Sequence, residues 1–493
     1  MRRASMTPNF CPARRWAATL VAVALTAAGC SSGDDSSLAV AASAEPTNAP
    51  AATDDDAVAA DPTAPPVTTN PETTSADQAV SLAGADVFDP TVVHEISVTF
   101  DEADYDALLE AYSATGDKEW MQVTVTIDGA TYEDTGMRLK GNSSLMALGR
   151  DSNAESAAGS PETLPWLIRL DRNVDGQTHH GYSDIVIRSN NTETSLNEAV
   201  ALALLDEAGL ASQAAAPASV SMNNSDPVLR LIVEHPGDDA WQDASFEADG
   251  ALFKAEASGD WSYRGDDPDA YTDVFDQEGG DDLTDLTPLI EFLDFLNNSD
   301  DDTFAAELSE YLDVDAFATY LAMMDLIENT DDIDGPGNNS YLWWDAASGR
   351  FTVVPWDMNL AFGGFGMGPG GGFPGGGRGE FPAGTAPEAF PDGTLPDGAI
   401  PGGTPPEGGF PGGAGGMRGG RSNPLVERFQ ANEEFAALYR QRLTELRAEL
   451  FESGTAETIL QNWVNTLSTH ATHLVSADTI TAEAETIRSL LSD

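Results

Sequence analysis

The chain has 493 residues, room for one main domain with added segments, since single domains usually run to about 100–200 residues. Its 82 Asp and Glu against 23 Lys and Arg give a formal charge of −59, which excludes nucleic-acid binding through a general basic face. The same charge repels anionic lipid and nucleotide at long range, so any nucleotide site must carry its own metal; adaptation to a salty habitat, or solubility, explains the surplus equally well.

Residues 1–30 begin with arginines, continue in an apolar run from Trp16 to Ala28 and end in Ala-Ala-Gly-Cys. That is the pattern of a signal peptide with a lipobox, and the run falls short of the roughly 20 residues of a membrane span. Cleavage before Cys30 and lipidation of its thiol would hold the protein on the outer face of the cell membrane, or supply a form later released; an ordinary signal or retained anchor is the alternative. Cys11 and Cys30 are the only cysteines, so the folded part holds no disulfide. Residues 31–88, rich in Ala, Ser, Thr, Asp and Pro, bury too little to offset ordering and read as a disordered tether.

From Val92 the period becomes strand-like in HEISVTF, then helical from Asp101, a suitable N-cap. WMQVTVTIDGATYEDTGMRLKG predicts a hairpin about Asp128-Gly129, and PWLIRLD and YSDIVIRS are further strands. Between them Asp171, Asn173, Asp175 and Gly176 imitate the start of a calcium loop, but Tyr182 stands where a bidentate Glu is needed, which makes a simple turn the better reading. SLNEAVALALLDEAGL, residues 195–210, predicts an amphipathic helix. Glu198 on it has the position of the acidic residue that pairs with a phosphate-contacting lysine in protein kinases. Strands follow in ASVSMN, VLRLIVEH and ALFKAEA, then an acidic stretch from Gly259 to Asp285 reads as an irregular surface insertion. Three helices follow, TPLIEFLDFLNN, DTFAAELSEYL and DAFATYLAMMDLIEN, with Met323 and Met324 as core.

Residues 325–363 carry the chemistry. A turn-rich acidic loop leads into strands SYLWW and RFTVVPW, so Asp334, Asn339 and Asp357 fall at the ends of one hairpin. Oxygen donors on turn-fixed spacing suit a hard cation such as Mg²⁺, which binds through one or two carboxylates and completes its shell with water and phosphates. Protein kinases place a loop Asp, an Asn five residues later and an Asp after a hairpin in this order. On that spacing Asp334, or Asp331 if the loop folds differently, orients the attacking hydroxyl and takes its proton, while Asn339 and Asp357 ligate the metal. Acidic turns that merely cap helices are the plain alternative.

Residues 363–422 are a Gly/Pro tract, either an inert insertion or a lid or docking arm. From Pro424 to Leu491 the pattern is helical, and His470 and His473 on it read as surface residues.

The string NSYLWWD-x-x-SGRF-x-x-x-PWDMNLAFG resembles the signature of the CotH kinase family, the spore-coat-protein-H-like atypical kinases. RLKGNSS at 138–144, IVIRSNN at 185–191 and LFKA at 252–255 extend the likeness from about residue 93 to the C-terminus. The resemblance implies an α+β, reduced kinase-like fold, β-rich then helical, over residues 89–493, interrupted by the tract. It also implies a secreted, ATP- and Mg²⁺- or Mn²⁺-dependent kinase acting on Ser or Thr of exported or surface proteins. Where the family commonly reads PWDxD this chain has Asn359, a metal-site oxygen one charge poorer. Lys140 and Lys254 end strands in matching blocks and are candidates, with Arg138 and Arg188, for the cations that hold ATP phosphates; Arg169 is a further cation in LIRLD, and Lys118 lies in a polar turn. A catalytically quiet surface protein for adhesion or envelope organisation is the alternative, and calcium-dependent binding through acidic loops a remoter one.

Overall fold

A computed structural model describes residues 86–491 except 142, 146–147, 149–158, 258, 281–282, 284, 336–337 and 364–422. The signal segment, Cys30, nearly all of the tether and all of the Gly/Pro tract but Gly363 lie outside the described residues. The tether ends earlier than expected, for Val87 and Phe88 are buried and Phe88 meets Tyr182 edge to face.

Seven strands close into a barrel: β1 (His94–Phe100), β2 (Met121–Ile127), β3 (Ala130–Leu139), β4 (Trp166–Arg169), β5 (Asp184–Ile187), β6 (Ala215–Met222) and β7 (Val228–Val233), in the order β1-β2-β3-β4-β5-β7-β6. Closure comes from a parallel pairing of β1 with β6, Ile96 opposite Val220. Every other residue points inward, so Ile96, Val98, Val123, Val125, Met137, Leu139, Trp166, Ile168, Ile185 and Ile187 fill the interior. The hairpin turns at Asp128-Gly129 as expected, both residues in the left-handed region. Helix α1 (Glu102–Thr115) is capped by the Asp101 side chain.

Helix α2 (Leu196–Glu207) departs from expectation. It is buried around most of its circumference because the polar Asn197 and Glu198 are themselves engaged inside the protein. After α3 (Asp239–Ser245) comes β8 (Gly250–Ala255), and the stretch read as an insertion supplies β9 (Phe275–Gly279) and the buried Trp261, Tyr271 and Val274. Acidity hid these anchors and Phe275 beside them. Three helices follow, α4 (Thr287–Asn298), α5 (Asp301–Tyr311) and α6 (Val314–Leu326), the last two capped by Asp300 and Asp313; Met323 and Met324 are buried core. The chain then returns to sheet with β10 (Ser340–Asp345) and β11 (Arg350–Pro355), completing a second sheet in the order β11-β10-β8-β9.

The end of the chain is helical, in α7 (Pro424–Ala431), α8 (Glu433–Leu446), α9 (Thr455–His470) and α10 (Ala477–Leu491), with a π-helical segment at Arg447–Glu452 after α8. One apolar core joins these helices to α2, α4, α5 and α6. His470 and His473 are exposed. The α+β class holds, with the β-rich part closed into a barrel and a second sheet set between it and the helices.

Candidate functional site

Because the inward residues of β3, β4 and β5 are apolar, their neighbours must face out. Arg138 and Lys140, Leu167 and Arg169, Asp184, Val186 and Arg188 therefore share the barrel's outer face. Leu167 and Val186 join one apolar cluster with Tyr341, Trp343, Val354 and Trp356 of the second sheet. The charged residues ring that contact. Trp356 is the organiser: Lys140 Nζ lies 5.2 Å and Arg188 Cζ 5.6 Å from its ring centre.

Arg188 is buried, its Nε 2.9 Å from Glu198 Oε1, and it also pairs with Asp357 Oδ1. Burial opposes its charge, but Asp357 and Glu198 outweigh that and raise its pKa. Burial pushes the Glu198 carboxyl up, with Arg188 opposing and Asp357 adding. Glu198 thus pairs with a cation as its position suggests, and that cation is an arginine. Asp357 itself sits at φ 63°, an uncommon conformation for a non-glycine residue. Asn197 Nδ2 donates to the Asn359 carbonyl at 2.6 Å, so α2 holds both the triad and the turn after it.

A second network lies beside the first. Lys140 Nζ is 2.8 Å from His235 Nε2, His235 Nδ1 is 2.8 Å from Asp184 Oδ2, and Arg169 donates twice to Asp184, at 2.7 and 2.6 Å. With Nδ1–H given to Asp184, Nε2 is left to accept from the ammonium. Glu278 Oε2 lies 3.2 Å from that nitrogen and accepts from Tyr341 Oη at 3.3 Å. Burial lowers the Lys140 pKa to about 8, with Arg138 and Lys254 adding and Glu278 and Asp184 opposing. The Glu278 carboxyl is held well below its usual range, because Lys140 and His235 outweigh burial.

Asp184, His235, Glu278 and Tyr341 escaped the sequence reading. The alternation Asp184-Val186-Arg188 could have revealed the first; nothing local marks Glu278. Lys254 pairs with Glu256. Lys118 belongs here too and is no mere turn residue: burial lowers its pKa to about 8, helped by Lys254 and Arg138. All three lysines of the chain meet on this face.

In the acidic loop, Asn339 Nδ2 donates to the Asp331 carbonyl at 2.9 Å, and Asp334 Oδ1 accepts from the backbone N–H of Asn423, which caps α7, at 3.0 Å. Ser340 pairs with Pro355, so Asn339 and Asp357 leave the same end of the hairpin. Among the described residues no three His, Cys, Asp or Glu side chains gather into a metal cage. Asp357 Oδ2, Asn339 Oδ1 and the Asn359 amide have no hydrogen-bond partner among them. A carboxylate oxygen and amide oxygens are the donor chemistry of a hard ion that brings water and phosphates of its own.

The site is tied to the far end of the chain. Glu483 on α10 accepts from the backbone N–H of Glu193 at 2.9 Å and of Thr194 at 3.1 Å, and from the Thr194 hydroxyl, just before α2. Glu483→Ala orphans these donors and should lower unfolding free energy by about 2–3 kcal/mol. Glu483→Gln, which keeps an acceptor oxygen, should recover about half; denaturant midpoints decide it.

A family model described as "CotH kinase protein" matches residues 138–489. No curated protein matches the chain.

Proposed function

The chain belongs to the CotH kinase family, and on that footing we propose that it is an exported, membrane-tethered protein kinase with a kinase-like division of labour, transferring the γ-phosphate of ATP to Ser or Thr of exported or surface proteins. The observation that carries this reading is the Arg188–Glu198–Asp357 triad beside Lys140 on one Trp356 ring.

Lys140, with Lys254 near it, would hold the phosphates, while Arg138 lies over Trp120 and is left to another role. Arg188, engaged by two carboxylates, orients Asp357 in preference to touching phosphate. Asp357, Asn339 and Asn359 would hold Mg²⁺ or Mn²⁺, which when bound neutralises phosphate charge. Asp334, or Asp331 beside it, takes the proton of the acceptor hydroxyl as its oxygen bonds to the γ-phosphorus; the bond from that phosphorus to the bridging oxygen breaks and ADP leaves. The tether joined to lipidated Cys30 would keep this chemistry at the membrane.

A second reading, a quiet kinase-like surface protein, draws on Asn359 and on Arg188 occupying one Asp357 oxygen. Incubation with γ-labelled ATP, Mg²⁺ or Mn²⁺ and a Ser-rich acceptor decides between them. Label transfer by the wild type supports the kinase. No transfer together with no nucleotide-dependent rise in melting temperature supports the quiet protein.

The charge on Lys140 gives the reaction a pH signature. Its ammonium is present below about pH 8 and lost above it, so transfer should fall with a one-proton slope as pH rises through about 8. Lys140→Arg, which keeps its charge, should move that fall upward in a pH–rate profile.

A further inference from the structure

The barrel's outer face carries more positive charge than phosphate binding uses. Trp120, just ahead of β2, is approached by three guanidinium groups: Arg138 Cζ lies 5.1 Å, Arg172 Cζ 5.2 Å and Arg169 Cζ 5.7 Å from its ring. Gly136 makes room for this. A Cβ there would lie 2.6 Å from Arg172 Cγ and 3.0 Å from Trp120 Cε3, so only glycine lets the Arg172 stem lie against the strand.

Arg169 is matched by Asp184, but Arg138 and Arg172 have no carboxylate partner among the described residues. Arg138 Nε has no acceptor among the described residues. Lys118 lies close by, its ammonium disfavoured by burial, Lys254 and Arg138 and favoured by Glu256 and Glu278. Like charges held together repel, and a buried donor without an acceptor is unfavourable. Arg138 and Arg172, gathered over one indole, offer charge and hydrogen-bond donors to an anion arriving from outside.

We propose that the Trp120–Arg138–Arg172 platform docks an acidic stretch of the acceptor polypeptide. The word acceptor rests on the kinase reading; the docking does not. Gly136 lies four residues before Lys140 on β3, about 13 Å at roughly 3.3 Å per residue. An extended polypeptide covers that distance in about four residues. Substrates are therefore Ser or Thr segments with Glu or Asp about four to five positions away. The indole supports the extended chain while Arg172 and Arg138 take its carboxylates in charge-assisted hydrogen bonds.

The test measures binding directly, by fluorescence anisotropy with the full chain at about 0.15 M salt. One labelled peptide carries a Ser followed, four positions on, by four Glu; its control has Gln in their place. The Glu peptide should bind at least about tenfold more tightly, Arg172→Gln should weaken it about tenfold, and Arg172→Glu should erase the preference. Arg172 is exposed, so both variants should melt with the wild type. Equal affinity for the two peptides, or indifference to both Arg172 variants, overturns the proposal. Displacement of the Glu peptide by MgATP overturns it as well, since the platform would then be part of the nucleotide site. Glu-dependent binding without label transfer would keep the platform and sink the kinase reading.

Discussion

Arg188→Met should lower the unfolding free energy by about 3–5 kcal/mol at neutral pH, the range for removing one partner of a buried ion pair. The side chain is buried and faces two carboxylates, Glu198 and Asp357. Methionine fills similar volume, so the loss is electrostatic rather than a cavity. Glu198 is already pushed up by burial and by Asp357, with Arg188 alone opposing. Without the guanidinium its folded pKa rises further above the unfolded value of about 4.3. A group raised in this way carries its full stabilising share below the unfolded pKa and loses it as pH rises through the folded one. The penalty in Arg188→Met should therefore be small near pH 4 and grow toward pH 7. Arg188→Met with Glu198→Gln should recover a large part of it, because the more buried uncompensated charge is gone. Denaturant midpoints at two pH values measure all of this, and a single-variant loss under about 1 kcal/mol would mean the triad is not the anchor of α2.

Features set by a few adjacent residues were legible in the sequence. The Asp128-Gly129 hairpin, the Asp101 cap and the strand pair from Ser340 to Pro355 follow from local turn chemistry and alternation. Pairings between distant segments were not. Nothing near Ile96 announces that it pairs with Val220, so barrel closure stayed hidden. Lys118 and Glu278 were passed over for the same reason: each lies in a polar stretch that reads as surface, and only the fold brings Lys118 beside Lys254 and Glu278 beside Lys140. Helix α2 shows the converse error, since Asn197 and Glu198 supplied the polar face of a helix whose polar residues point into the protein. In the candidate site, Glu198 and Asp357 could be picked out by position and motif. Their joining through Arg188 needed the fold, because Arg188 was one of several cations with no local feature to rank them.

Asp357→Asn should reduce label transfer at least about 10³-fold while changing unfolding free energy by less than about 1 kcal/mol. The first half follows from the proposed role. Asp357 offers its second carboxylate oxygen, since Arg188 takes the first, and with Asn339 and Asn359 as neutral amides, no second negative donor from the hairpin compensates. The second half follows from charge arithmetic in the triad. Two carboxylates face one guanidinium, so neutralising Asp357 leaves Arg188 and Glu198 as a matched pair and removes one cause of the raised Glu198 pKa. Asparagine also tolerates the left-handed backbone at this position, φ 63°, better than alanine would. Initial rates beside thermal and denaturant midpoints test both halves. Wild-type transfer would place the metal-holding carboxylate elsewhere, and a collapse in stability would make Asp357 a structural partner of Arg188 first. The two triad substitutions should thus separate: the arginine variant fails as a fold and the aspartate variant fails as a catalyst, because one removes the counter-charge of two acids and the other removes the surplus acid.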